Sequence, residues 1–240
     1  MTTNTSLGKL YLIPVTMGES DPMDVLPQTV KRTIELIDHY IVENEKTARK
    51  SIKGVLPEKK QSELVLFALN KHTDAKEHLS FIQPLLAGKN MGLMSEAGCP
   101  GVADPGAVIV KLAHEKGIQV IPLVGPSSIL LAMMASGMNG QSFTFNGYLP
   151  IDKGEKKSAL KNLEKLSFDK NRSQIFIETP YRNNKLLEDI LQALQPTTHL
   201  CIATDITLPT EYIKTLRVSD WKKTKVDLHN RPTIFIIHKM

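Results

Sequence analysis

The sequence predicts an α/β protein of two domains, the first built on a mostly parallel sheet and the second on a mixed sheet. Three observations carry this expectation. Short apolar runs alternate with amphipathic stretches along the chain. That rhythm thins to strands with little helix between them beyond Leu200. A segment rich in turn formers, Tyr148-Leu149-Pro150-Ile151-Asp152-Lys153-Gly154, falls between the two regimes. Strand–helix alternation builds parallel sheets through right-handed crossovers, whereas strands in direct succession pair antiparallel or mixed.

In chain order, strands are expected at Lys9–Val15, Tyr40–Val42, Glu63–Leu69, Met91–Ser95 and Gln119–Val124. Helices are expected between them at Val25–Asp38, Glu45–Ile52, Asp74–Leu86 and Ala107–Lys116. A helix through Ile129–Ala135 follows Gly125 and stops at Gly137. Later strands are expected at Phe143–Gly147, Gln174–Thr179, Leu200–Thr204, Tyr212–Val218 and Thr233–His238, with a charged helix after the turn segment. The domain boundary is placed near Gly147–Lys153, giving domains of residues 1–147 and 148–240. No internal repeat is visible.

A length of 240 residues suits one large domain or two smaller ones. With 41% hydrophobic and 23% charged residues the chain reads as globular rather than disordered. No apolar run approaches the length of a membrane-spanning helix, and Met1–Lys9 lacks the pattern of a secretory signal. Two cysteines, Cys99 and Cys201, argue against a disulfide framework and favour a cytoplasmic protein. The net charge of +5 is compatible with a polyanionic partner. The densest basic cluster, Lys153, Lys156, Lys157, Lys161 and Lys165, reads first as the solvated face of a surface helix.

Two connections carry the chemistry. Met94–Gly106 leaves an apolar strand, turns repeatedly on Gly and Pro, and enters a helix; glycine there lets backbone approach a ligand closely. Ligands of open α/β sheets bind beyond the carboxyl ends of strands. In Pro122–Ser128, Ser127 or Ser128 is a natural helix cap whose neighbouring N–H groups could receive a carboxylate or phosphate. An ordinary turn and an ordinary cap explain either segment alone. Neither matches the dinucleotide fingerprint or the phosphate loop. Cys99 lacks a partner base and metal-ligand spacing, so no metal is expected.

Four blocks in order, Ser95–Gly106, Gly125–Ser128, Phe145–Pro150 and Glu178–Arg182, resemble the tetrapyrrole methylase superfamily of S-adenosylmethionine-dependent methyltransferases. Within it they resemble the branch of the bacterial small-subunit rRNA (cytidine-2′-O)-methyltransferase. The resemblance implies two α/β domains with S-adenosylmethionine in the cleft between them, usually in a homodimer. It implies cofactor contacts at Pro14, Ala97, Gly98, Cys99, Gly101, Ser127 and Ser128, and at Glu178, Thr179, Pro180, Pro232 and Thr233.

Departures from the branch fall on polar loop residues. Glu19 stands where Asn is expected, and Glu43-Asn44-Glu45-Lys46 with Arg49-Lys50 replaces Glu-Asp-Thr-Arg with Arg-Lys. His72-Thr73-Asp74 replaces His-Asn-Glu, and Ala203–Leu208 lacks the branch's late Arg and Lys. Met240 follows the last strand without the branch's C-terminal helical extension. A ribose 2′-hydroxyl acceptor needs a general base; His72 is the first candidate and Glu43 the second. Arg49, Lys71, Tyr181 and Arg182 are candidates for contacting the acceptor, while Trp221 reads as packing. Three readings follow: methyl transfer to small-subunit rRNA, methyl transfer to a small molecule such as a tetrapyrrole precursor, and a non-catalytic cofactor- or RNA-binding module.

Overall fold

In a computed structural model, which describes residues 6–69, 73, 74 and 76–240, all five N-terminal strands form. They are β1 (Lys9–Leu12), β2 (His39–Val42), β3 (Val65–Ala68), β4 (Met91–Met94) and β5 (Gln119–Pro122), paired parallel throughout in the order β3-β2-β4-β1-β5. Alternate side chains leave opposite faces of a strand, and both faces here are covered. Helices α1 (Gln28–Leu36) and α2 (Glu45–Val55) bring Val30, Ile34 and Ile52 into one cluster with Ile13, Tyr40 and Val42. Helices α3 (His78–Phe81), α4 (Gln83–Leu86) and α5 (Ala107–Glu115) bring Phe81, Leu85 and Ile109 into another with Leu10, Ile41 and Leu93. The connections leaving β1 and β2 therefore run to one face and that leaving β4 to the other. The topological switch of the sheet lies at the carboxyl end of β4.

Three expected elements are trimmed by proline. β1 stops at Leu12 because Pro14 has no N–H for the ladder, and Val15 instead donates to the Gly98 carbonyl at 3.0 Å. The helix expected from Val25 begins at Gln28, with Pro27 as its extended cap residue. The helix expected over Asp74–Leu86 is, among the described residues, two short helices. Pro84 cannot continue a helix that runs through Phe81, since its ring would strike the carbonyl one turn back.

The second unit holds α6 (Ser128–Ser136), β6 (Phe143–Tyr148), α7 (Lys153–Lys170), β7 (Ser173–Ile177) and α8 (Asn183–Ala193). It ends with β8 (His199–Thr204), β9 (Tyr212–Arg217), α9 (Val218–Trp221) and β10 (Thr233–His238). Its sheet runs β6-β7-β10-β8-β9, with β6 and β7 parallel and every other pair antiparallel, so it is mixed as expected. The core gathers Leu160 and Leu163 of α7, Leu186 and Ile190 of α8, and the stacked rings of Phe176 and Phe235. Trp221 is buried there and donates to the Leu200 carbonyl at 2.8 Å. The compact units are Met1–Ser127 and Ser128–Met240. Their division precedes the expected one at 147 because β6 pairs with β7, and because Thr215 of β9 donates to the Ser136 carbonyl at the end of α6. The lysine cluster is also corrected in part. Lys156 points inward and meets Asp189 at 3.4 Å, while Lys153, Lys157, Lys161 and Lys165 are exposed.

Candidate functional site

At the carboxyl edge of the first sheet, the loops that follow β1, β4 and β5 converge. Pro14 and Val15 follow β1, and Val15 bridges Gly98 in the loop after β4. The Cys99 thiol donates to the Pro126 carbonyl at 3.3 Å, tying that loop to the one after β5. Burial pushes the Cys99 thiol above its ordinary value, so it is a packed hydrogen-bond donor here. Ala97 is exposed, and Gly101 adopts φ +83° with no atom within 4 Å of where a Cβ would stand. The loop therefore turns open backbone outward at the switch point. Ser127 ends this unit and α6 opens at Ser128.

Asp104 shapes that loop. Its two carboxylate oxygens each lie 2.9 Å from the Gly101 N–H, and Oδ1 also accepts from the Gly106 N–H at 2.7 Å. Glu43, one residue beyond β2, lines a small cavity with Ser95, Asp104 and Gly106. Burial raises the Glu43 carboxyl above its usual range. A hydrogen bond from the Glu96 backbone opposes that shift, and the Glu96 and Asp104 carboxylates add to it. Glu96 accepts from Thr47 Oγ1 at 2.5 Å, and Asn44 caps α2 by accepting from the Lys46 N–H at 2.9 Å. Arg49 donates to the Gln61 carbonyl at 2.6 Å, which gives its guanidinium a structural partner. His72 and Lys71 lie outside the described residues.

In the second unit, Glu178 follows β7 and Pro232 leads into β10, which pairs beside it through Ile177 and Ile234. Burial pushes the Glu178 carboxyl upward, but the Thr179 N–H (2.7 Å), the Arg182 guanidinium (2.7 Å) and the Thr179 hydroxyl outweigh it and hold the group ionised. Pro180 begins a single 3₁₀ turn whose carbonyl accepts from the Asn230 N–H. Thr233 donates to Thr204 Oγ1 at 2.9 Å, and Thr204 donates to the Pro232 carbonyl at 3.0 Å. Arg182 stands 5.3 Å from the centre of the exposed Tyr181 ring. Glu178, Thr179, Pro180, Pro232 and Thr233 thus share one end of the second sheet.

Sequence reading missed the roles of Asp104 and Glu96. Asp104 was visible only as the first residue of an Asp-Pro-Gly turn; its reach back to Gly101 depends on the curl of the loop. Glu96 has no periodic or motif signal, and only folding brings it to Thr47 across a separation of 49 residues.

The family model described as Tetrapyrrole (Corrin/Porphyrin) Methylases matches residues 9–221. The Ribosomal RNA small subunit methyltransferase I of Buchnera aphidicola subsp. Schizaphis graminum is 29% identical, over 96% of this chain and 78% of its own length. Among solved structures, the methyltransferase CobJ matches with a TM-score of 0.65 at 15% identity, over 97% of this chain and 94% of that one. The uroporphyrin-III C-methyl transferase from Thermus thermophilus, complexed with S-adenyl homocysteine, matches with a TM-score of 0.57 at 16% identity, over 97% and 98%. Both structures share the fold.

Proposed function

The chain belongs to the tetrapyrrole methylase family, and from that premise we propose that it transfers a methyl group from S-adenosylmethionine to a ribose 2′-hydroxyl of small-subunit ribosomal RNA. The observation that carries the acceptor is the 29% identity, over 96% of the chain, to a relative named for that rRNA. The residues fit the cofactor. Beside the open backbone of Gly101 lies a recess of 380 Å³, walled by Leu12, Cys99, Val102, Val110 and Leu123 and free of charged side chains. An adenosyl group wants such an apolar slot with backbone donors.

In this reading Pro14, Ala97, Gly98, Cys99, Gly101, Ser127 and Ser128 hold the cofactor together with Glu178, Thr179, Pro180, Pro232 and Thr233. S-adenosylmethionine supplies a methyl group on a sulfonium leaving group. The protein's share is orientation of the acceptor oxygen in line with that bond, and removal of the hydroxyl proton. In this reading Glu43, whose carboxyl burial raises, takes the proton, with His72 as the other candidate. Tyr181 and Arg182 offer an aromatic face and a cation to the acceptor, and Arg49 and Lys71 complete the acceptor contacts. The same reading has a homodimer in the cytoplasm. Exposed Leu130 and Met134, one turn apart on α6, supply apolar surface for a second copy, and no described helix is long and apolar enough to cross a membrane.

Incubation with methyl-labelled cofactor, undermethylated small ribosomal subunits and a porphyrinoid tests the proposal. Label recovered as a 2′-O-methyl nucleoside is expected. Label in the porphyrinoid overturns the acceptor, and cofactor binding without transfer to either overturns the activity.

A further inference from the structure

We propose that a groove at the far end of the second unit binds the backbone of single-stranded RNA, with Phe168 as a stacking platform. It rests on the rRNA reading for the identity of the polyanion. The first unit carries 14 Lys and Arg against 14 Asp and Glu, whereas the second carries 16 against 11. The chain's entire positive excess therefore sits on the second unit. Phosphate binding is driven by such charge through counterion release.

Within that unit, a groove of 720 Å³ runs between α7 and the end of α8, lined by Lys161, Lys165, Phe168, Leu194, Pro196 and Lys239. Lys161 and Lys165 stand one turn apart on α7, and both are exposed. Lys239 donates to Gln195 Oε1 at 2.8 Å and Thr197 Oγ1 at 2.5 Å. Both acceptors are neutral, so they fix the ammonium without cancelling its charge. Lys165 shares Asp169, leaving Lys161 and Lys239 as the groove's unpaired cations among the described residues. Glu164 is buried and accepts from the Gln195 N–H at 2.8 Å and from Thr198 Oγ1. Phe168 is 61% exposed at the rim. A lysine-lined groove with one bare aromatic face is the chemistry that tracks a single strand, the cations meeting phosphates and the ring meeting a base.

β10 leads from Thr233 to His238, and Lys239 in the groove follows it, about 20 Å from Thr233 at strand rise. Within the second unit, the groove therefore stands apart from the cofactor contact proposed at Thr233. It would anchor the strand and leave the chemical step alone, as phosphate contacts position without reading sequence.

Fluorescence anisotropy with an unstructured oligouridylate and the full chain, without cofactor, tests this. Lys161→Gln and Lys239→Gln are each expected to flatten the slope of log affinity against log salt by about 0.7. Phe168→Ala is expected to weaken binding by roughly fivefold or more at every salt concentration. All three should keep the wild-type melting temperature and S-adenosylmethionine affinity. Unchanged slope and affinity in folded variants overturn the groove, as does equal weakening towards duplex RNA. Because no methyl transfer is read, failure here leaves the enzymatic proposal standing, and failure of transfer leaves this test intact.

Discussion

A Cβ placed on Gly125 would fall 2.2 Å from Cγ of Pro14, so the loops after β5 and β1 meet with room for a hydrogen and nothing larger. Gly125→Ala must push them apart, and overpacking of this kind costs about 1–3 kcal/mol. The expected result is a melting temperature lower by roughly 2–12 °C, measured by calorimetry. An unchanged melting temperature would show that the two loops do not support each other.

Gly101 makes the opposite case. Its φ of +83° opposes a side chain, yet the space around it is empty. Gly101→Ala should cost only the strain of the left-handed conformation, about 1–2 kcal/mol. Its larger effect should be on S-adenosylmethionine binding, because in the proposed cofactor site a methyl group would enter the open space beside Gly101. Titration calorimetry beside a thermal melt separates the two. A stability loss with unchanged affinity would take Gly101 out of the cofactor site.

Asp104 holds three hydrogen bonds to two backbone N–H groups from one side chain. Hydrogen bonds to charged groups contribute about 1.5–3 kcal/mol each. Asp104→Ala should therefore let the loop uncurl and weaken cofactor affinity about tenfold or more, while the second unit melts as before. Equal cofactor affinity in the variant would mean that the loop keeps its shape without the carboxylate.

Much of this was legible in the sequence because periodicity is local. All ten strands among the described residues were visible as short apolar runs, and the mixed second sheet followed from the scarcity of helix beyond Leu200. Tertiary accounting was not visible. Lys156 sits among exposed lysines in sequence but turns inward to Asp189. The boundary was drawn at a turn-rich segment, whereas pairing of β6 with β7 settles where the compact units divide. The convergence of Pro14, Cys99 and Pro126 joins residues from 27 to 112 positions apart, and no spacing rule reaches that far.

His238 is buried opposite His199 on β8, with Nδ1 3.3 Å from Ser173 Oγ. Burial first, and then His199, hold its pKa below the ordinary imidazole value. The unfolded chain therefore takes up a proton before the folded one does. Stability is complete above about pH 6.5, falls as pH drops through that value towards the folded pKa, and levels off below it on this account. His238→Gln should flatten this part of a melting-temperature profile between pH 5 and 8. A variant with the wild-type slope would assign the proton elsewhere.

On the proposed reading, Glu43 takes the acceptor's proton. A base must be ionised to accept the acceptor's proton, so activity should rise with pH through the Glu43 value and then level off. That limb should lie above the usual carboxylate range, because burial and the nearby Glu96 and Asp104 carboxylates disfavour the charged form. Glu43→Gln preserves shape but cannot take a proton. Its kcat should fall by about 10²–10⁴-fold with cofactor affinity and melting temperature retained, and the residual rate should lose the acid limb. A purely structural glutamate would show the reverse, altered stability with an intact pH profile. If His72→Ala removes the limb and Glu43→Gln does not, the proton goes to the histidine and the carboxylate's place at the end of β2 serves only to shape the loop.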